Sequence, residues 1–572
     1  MFKRILQFLI FCLLVSTIAQ AKTSTVDAYG VRLGALANFS GQLNGGYCFY
    51  SVYAVNRTAD EKQIRLSMRS TYSSELEEVA RSFRLAAGES RTESIFFPVM
   101  DFSSDGMRVE IDGILVQERI FPYVSVYRDY YRKKAALVDN RISKSEFSAV
   151  FDKGGSYGLE MNVFDGGLDQ FENKWLAYTR FNSLIFYSDS LQAMSNETKN
   201  AIFSYIRAGG NLLVLGHFQP PADFYPCSIE NPTGIPDFQG FSGGFGTMIV
   251  CDEDVLERVA TVSGDPFPTL EKDPLGLLSS RGNSPLAFRD GDVKMVSAQW
   301  LMILIYAFAF LIGPVNVYVL HKMRKKIWVF WTVPVASAVC CLMIFGYYLI
   351  FESSVLLVKK QALTFLDQRN NLAVTLGNLA VYSSASKPEG FRFSFDTEAR
   401  PIAPRRYRHT DNGKFINLDE DQNFAEGWIR PKVPRYFHVR TAGVRRERIS
   451  IERGDGGMLL LNGLGADIKI LYFMAEDGRI FHCQNLKAGS RAALSLSNRQ
   501  LSKRRGVTEM HEVFENEWFS HYERLHEAPE NYLKPGNYIA WLDRAPFLNK
   551  QSFENGTTQE DSVVFGVMGG QL

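Results

Sequence analysis

A triad-type hydrolytic site needs a carboxylate, an imidazole and a nucleophile within reach of one another. One neighbourhood of this chain offers all three. Asp189 follows the apolar run Leu184–Tyr187, and Gly216-His217 follows a second run, Leu212–Leu215. In an open parallel sheet, ligands bind beyond the carboxyl ends of the strands, so Asp189, Gly216 and His217 are the expected border of a ligand pocket. Cys227 or Ser242 would then supply the nucleophile. Ser242 stands in Gly240-Phe241-Ser242-Gly243-Gly244, which has the glycine spacing of a serine elbow. That elbow needs an apolar strand before the serine, whereas "ENPTGIPDFQ" reads as loop. Pro226 and the missing glycines deny Cys227 the same tight turn. No catalytic residue is therefore expected. The simpler reading makes Asp189 the start of a turn and His217 a surface residue.

Two further groups carry chemical potential. "EMHEVFENEWFSHYERLHE" contains His511, His521 and His526; His511 and Glu515 fall one helical turn apart, but His521 and His526 diverge on a helix. No zinc spacing appears, so an amphipathic helix is expected there, with neither metal nor cofactor. Four cysteines fall outside the most apolar segments and the first residues: Cys48, Cys227, Cys251 and Cys483. Only Cys227 and Cys251 share one expected domain, and an oxidising compartment would permit their disulfide. Asn38, Asn56, Asn196 and Asn555 begin N-x-S/T triplets, which matter only in a host that glycosylates the chain.

The elements that would position Asp189 and His217 read clearly. "KAALVDNR" and "LEMNVF" are strand candidates. After Leu184–Tyr187, Ser195 is placed to cap a helix with Glu197 in its first turn, where an acid complements the dipole. Ala201, Ile202, Tyr205 and Ile206 form its apolar face, and Gly209-Gly210 ends it. "GTMIVC" and "DEDVLERVA" continue the alternation of strand and helix. Strand–helix–strand with fully apolar strands predicts a parallel, doubly wound α/β domain over 131–296.

Two uncharged runs follow, Trp300–Val319 and Ile327–Phe351, each long enough to cross about 30 Å of hydrocarbon as a helix. Pro314 and Pro334 are expected to kink them. Between them "LHKMRKK" carries Lys322, Arg324, Lys325 and Lys326. A short loop this rich in cations stays cytoplasmic, so 297–351 reads as a two-helix transmembrane hairpin with its loop at 320–326. The first residues, with Lys3 and Arg4, an apolar run and Ala19-Gln20-Ala21, read as a signal peptide over 1–21. Both rules send the flanking regions outside.

Residues 22–130 show short strand signals such as "GGYCFYSVYAVNR" and "DGMRVEIDGILV", which predict an N-terminal β-sandwich. Residues 352–572 return to strands and turns, notably Asn462-Gly463 and Asp477-Gly478, and predict a C-terminal β-rich domain. The fold class expected is multidomain, α/β plus all-β with the hairpin between. In "VRRERISIER" the interleaved Glu447 and Glu452 point to a solvated strand edge. A net charge of +1 with 22% charged residues gives no sign of a nucleic-acid partner.

The run Leu184–Gly216 resembles the class I glutamine amidotransferase-like, flavodoxin-like fold. It is most similar to the degenerate version found in bacterial envelope proteins and in auxiliary subunits of gliding-type ABC transport systems. "YAFAFLIGPVNVYVLHKMRKKIWVFWTVP" resembles the membrane hairpin that follows this domain in such proteins, and the resemblance covers roughly 135–350. Active amidotransferases carry a G-x-C-x-G elbow with a later histidine. Cys48 has Gly46 before it but Tyr50 after it, Cys251 lacks flanking glycines, and no histidine lies between His217 and the membrane runs. The resemblance thus implies a lost nucleophile. The function it implies is an extracytoplasmic binding or assembly protein of the bacterial inner membrane, in contact with the lipid bilayer and an envelope or transport-complex protein. The alternative is an envelope hydrolase using an unrecognised site at the strand ends.

Overall fold

The computed structural model describes residues 24–37, 46–70, 77–98, 104–117, 134–151, 159–163, 171–227, 238–260, 267–271, 298–324, 326–351, 356–402, 413–454, 457–497, 533–548 and 557–568. The expected signal segment, Asn38, Lys325, Asn555, "SKRRG" and the histidines of 511–526 lie outside them. Among the described residues strands dominate and helices are few.

Eight strands come first: β1 (Ser24–Ala28), β2 (Val31–Ala37), β3 (Tyr47–Asn56), β4 (Lys62–Ser70), β5 (Glu77–Leu85), β6 (Ser90–Pro98), β7 (Ser104–Ile111) and β8 (Ile114–Gln117). Alternation of buried and half-exposed residues along β3 and β4 gives each strand one core face. β1, β2, β3 and β6 form one antiparallel sheet. Asn56, a sequon asparagine, is buried; its amide donates to Asp60 O at 2.7 Å and Ala86 O at 3.0 Å, so it serves a turn.

The α/β unit holds β9 (Lys134–Val138), β10 (Leu159–Val163), β11 (Ser183–Tyr187), β12 (Asn211–Leu215), β13 (Tyr225–Pro226), β14 (Gln239–Gly243) and β15 (Gly246–Cys251). Their order is β10-β9-β11-β12-β15-β14-β13, and the first five run parallel. Counted within the unit this is the flavodoxin-like order 2-1-3-4-5. Helices α1 (Lys144–Phe151), α2 (Ser188–Ala193), α3 (Asn196–Arg207) and α4 (Val255–Val259) accompany it. Leu184, Phe186, Leu212 and Val214 pack on α3, while Ile185, Leu213 and Ile249 face α1 and α4. Both faces are covered, which is why these strands are apolar without alternation. The Ser195 hydroxyl accepts from Thr198 N at 3.1 Å, and Gly209, at φ +100°, ends α3.

A helical segment follows: α5 (Ala298–Phe310), a π-turn over Leu311–Val315, α6 (Asn316–Lys322) and, after a bend, α7 (Val329–Phe351). Pro314 sits inside the π-turn, the distortion that absorbs its missing N–H. Ile305–Lys322 is long and apolar enough to cross a membrane. The helix thus runs through Lys322, past the expected loop boundary. Arg324, at φ +56°, makes the bend, and Asn316 Nδ2 donates to Thr332 Oγ1 at 2.9 Å between the two arms.

The remaining strands are β16 (Leu356–Asp367), β17 (Leu372–Ser383), β18 (Phe391–Phe393), β19 (Thr397–Ile402), β20 (Lys414–Asn417), β21 (Gln422–Phe424), β22 (Arg435–Val444), β23 (Arg448–Gly454), β24 (Gly457–Gly463), β25 (Ile468–Met474), β26 (Ile480–Leu486), β27 (Arg491–Ala493), β28 (Ser495–Leu496), β29 (Asn537–Leu542) and β30 (Thr557–Val567). A nine-stranded sheet runs β19-β22-β17-β16-β30-β29-β25-β26-β28, and β23-β24-β27 form a small sheet with the basic β23 at its edge. Gly478, at φ +80°, turns β25 into β26 as expected. Asn462-Gly463 does not turn a hairpin. Asn462 is fully buried in β24, and its amide donates to Ala466 O at 2.9 Å, holding a wider loop.

Strands from both sides of the helical segment join in one sheet, β18-β21-β20-β5-β4-β7-β8. β20 pairs with β5 in parallel, with Ile416 opposite Val79. The core follows suit: Ile64, Leu66 and Val109 pack with Leu356, Val381, Phe424 and Phe437.

Candidate functional site

In the 2-1-3-4-5 order the strand sequence reverses between β9 and β11, and the crevice at their carboxyl ends is where such sheets bind ligands. Asp139 occupies it, directly after β9, and is buried. Its Oδ1 accepts from Arg141 N at 3.0 Å and its Oδ2 from Tyr187 N, at the end of β11, at 3.2 Å. The carboxylate ties the two strand ends together. Arg141 folds back over the site: its guanidinium lies 4.1 Å from the Tyr187 ring centroid, and Nη2 donates to Ser190 Oγ at 3.0 Å.

The neighbouring strand ends close the other side. Gly216 N donates to Cys251 O at 2.7 Å, which locks the end of β12 to that of β15. Gly216, at φ +101°, also stands where a Cβ would come within 2.8 Å of Ser188 Oγ and 3.0 Å of Glu253. Burial raises the Tyr187 phenol above its ordinary range, the carboxylates of Glu146, Asp139 and Glu253 push it further, and Arg141 opposes them. The site is one arginine set among acids, with its buried carboxylate bonded to main-chain amides. That arrangement makes Asp139 a strut.

Of the expected border, Gly216 is buried at the strand end, while Asp189, in the first turn of α2, and His217 are exposed. Ser242 lies in β14, which is a strand and not the loop expected. It stands opposite Thr247 in an antiparallel hairpin, so a strand–turn–helix elbow does not form around it. Cys227 and Cys251 are not bonded to each other. Cys227 N donates to Gly240 O, which places β14 between the two cysteines. Two strand spacings are about 9.5 Å, beyond the ~7 Å Cα separation a disulfide spans. Burial pushes the Cys251 thiol up to about 12, with Asp252 adding to it, and burial pushes Cys48 to about 11. Neither is a nucleophile at neutral pH. Among the described residues no cluster of three metal-ligating side chains occurs.

Sequence reasoning passed over Asp139 and Arg141, although "VDNR" carries a signal: an acid directly after the first wholly apolar strand of a doubly wound unit. Replacing Asp139 with alanine would take the acceptor from two part-buried main-chain amides at once and untie the ends of two strands. A loss of about 2–3 kcal/mol in stability is expected, with a smaller loss for Asp139→Asn, which keeps an acceptor. Urea unfolding followed by tryptophan fluorescence measures both.

No family model and no curated protein matches this chain. A solved structure, the yeast delta-COP-I mu-homology domain complexed with a Dsl1 WxWxV peptide, aligns at 7% identity over 37% of this chain and 95% of its own, with a TM-score of 0.17. A likeness that slight carries no argument about fold or activity.

Proposed function

We propose that the protein is a membrane-anchored, non-catalytic binding and assembly component of the bacterial envelope, its helices forming a hairpin and its folded mass lying outside. The observation that carries this reading is the parallel pairing of β5 with β20. Strands that precede and follow the apolar helices belong to one sheet, so both must lie on the same side of any bilayer the helices enter. Such a chain leaves and returns, and the cationic bend at Lys322 and Arg324 takes the far side. The 2-1-3-4-5 sheet supports the resemblance of Leu184–Gly216 to an amidotransferase-like unit, and an Asp139 bonded to main-chain amides supports a structural role for the crevice.

Single cysteines at Glu61, Met323 and Glu476, all exposed, test the topology. In right-side-out membrane vesicles an impermeant maleimide should label positions 61 and 476, and label 323 only after permeabilisation. Labelling of 323 in sealed vesicles would overturn the hairpin. Turnover of an amide or ester substrate by the purified chain, abolished by one substitution at the strand ends, would overturn the non-catalytic reading.

A further inference from the structure

The nine-stranded sheet has a notch at one corner. β19 begins at Thr397, opposite Thr441, whereas β22 runs on to Val444. On its other edge β22 remains paired with β17 as far as Leu372 opposite Val444. Arg445 N donates to Asn371 O at 2.8 Å, so the odd-numbered residues here turn their N–H and C=O toward β17. Val444 turns its own to the side that β19 has left. The chain before β19 bends away there, with Thr397 N bonded to Ser394 O at 3.0 Å.

The notch opens into a cleft of about 540 Å³. Ala373 and Phe393 contribute apolar wall, and Gly443 has open space where a side chain would stand. Two cations, Arg392 and Arg445, and two acids, Asp396 and Asp421, line it. Arg445 lies 3.6 Å from Glu447 in a half-buried pair, while Arg392, 3.8 Å from Glu420, is paired loosely and faces solvent. Exposed pairs of that length are worth about 0–1 kcal/mol and yield readily to a ligand.

A strand edge with an unused N–H and C=O, set between charges of both signs, is matched by one ligand chemistry. We propose that this cleft binds a short, extended peptide carrying both a carboxylate and an ammonium group. Its backbone takes the place β19 vacates beside Val444, its carboxylate meets Arg392 and Arg445, and its ammonium meets Asp396 and Asp421. This deepens the assembly role and rests on it for its place in the envelope. The peptide is an internal segment of a partner, with its two charges on side chains, since a chain terminus supplies only one of them.

Calorimetric titration of the detergent-solubilised full-length chain with the tetrapeptide Asp-Ala-Ala-Lys tests it, in free form and with both ends blocked. The free peptide should bind, and Gly443→Trp, which fills the cleft, should weaken it at least tenfold. Arg445→Glu should do the same by charge, and it decides the matter if circular dichroism shows that the tryptophan variant misfolds. N-methylation of the central amides should also abolish binding. The blocked peptide should bind as well, because its side chains carry both charges, and binding that requires the free ends overturns the internal source. Absence of heat with either peptide, or binding that these variants leave intact, overturns the proposal. Maleimide topology is read separately, so a failed hairpin and a failed cleft are distinguishable.

Discussion

Replacing Arg440 with methionine should cost about 3–5 kcal/mol of stability, the usual penalty for breaking a buried ion pair from one side. Arg440, in β22, and Glu398, opposite it in β19, are both almost wholly buried, and the Arg440 Nε donates to the Glu398 carboxylate. The same guanidinium leaves its sheet to cap the α/β unit. Nη1 donates to Ala208 O, at the carboxyl end of α3, at 3.0 Å, where a cation also complements the helix dipole. It lies 5.8 Å from the Trp175 ring, whose Nε1 in turn donates to Asp396 O at 3.2 Å. Methionine keeps much of the volume but abandons a buried carboxylate and a helix-end carbonyl. The double variant Arg440→Met with Glu398→Leu removes the orphaned charge and should recover most of the loss. Urea midpoints of the full chain give both values. Equal destabilisation by the single and double changes would show that Glu398 is not held by Arg440.

Trp428→Ala should cost a similar amount, about 3–5 kcal/mol, as expected for emptying a packed aromatic site. Trp428 is buried, with ring centroids 5.0 Å from Phe424 and 5.8 Å from Phe437, and the Lys414 ammonium lies 5.3 Å from its ring. Phe391 stacks on Phe424 at 5.4 Å in the same cluster. These rings share one core with Ile64, Leu66 and Val109, so a cavity there loosens both ends of the chain together. Limited proteolysis should therefore open new cleavage sites in 24–117 and in 356–444 at the same denaturant concentration. Cleavage confined to 356–444 would mean that the two parts fold independently.

Some features were legible because they are local. The capped helix Asn196–Arg207, its termination at Gly209, the apolar strands of the α/β unit and the Asp477-Gly478 turn follow from spacing and backbone preference within a dozen residues. Gly216 could be placed at a strand end for the same reason. Where local chemistry was ambiguous the reading failed. Asn462-Gly463 has the composition of a hairpin turn, yet Asn462 is more useful buried, bonding Ala466 O and Leu486 O. The glycines around Ser242 read as loop, yet pairing with β15 makes a strand of them.

By itself the sequence determined where most strands and the apolar helices lie, and that strand, helix and strand alternate from Leu184 to Gly216. Periodicity and composition are properties of neighbouring residues, so no knowledge of the rest of the chain is needed to see them. Only the tertiary structure decided that β5 and β20 share a sheet, that Arg440 reaches from that body to the end of α3, and that β22 outruns β19 to leave a charged notch. Each of these joins residues far apart in the chain, and hydrogen-bond pairing between strand edges leaves no mark on local hydrophobic pattern: every strand has two edges, and only packing selects what lies beside them.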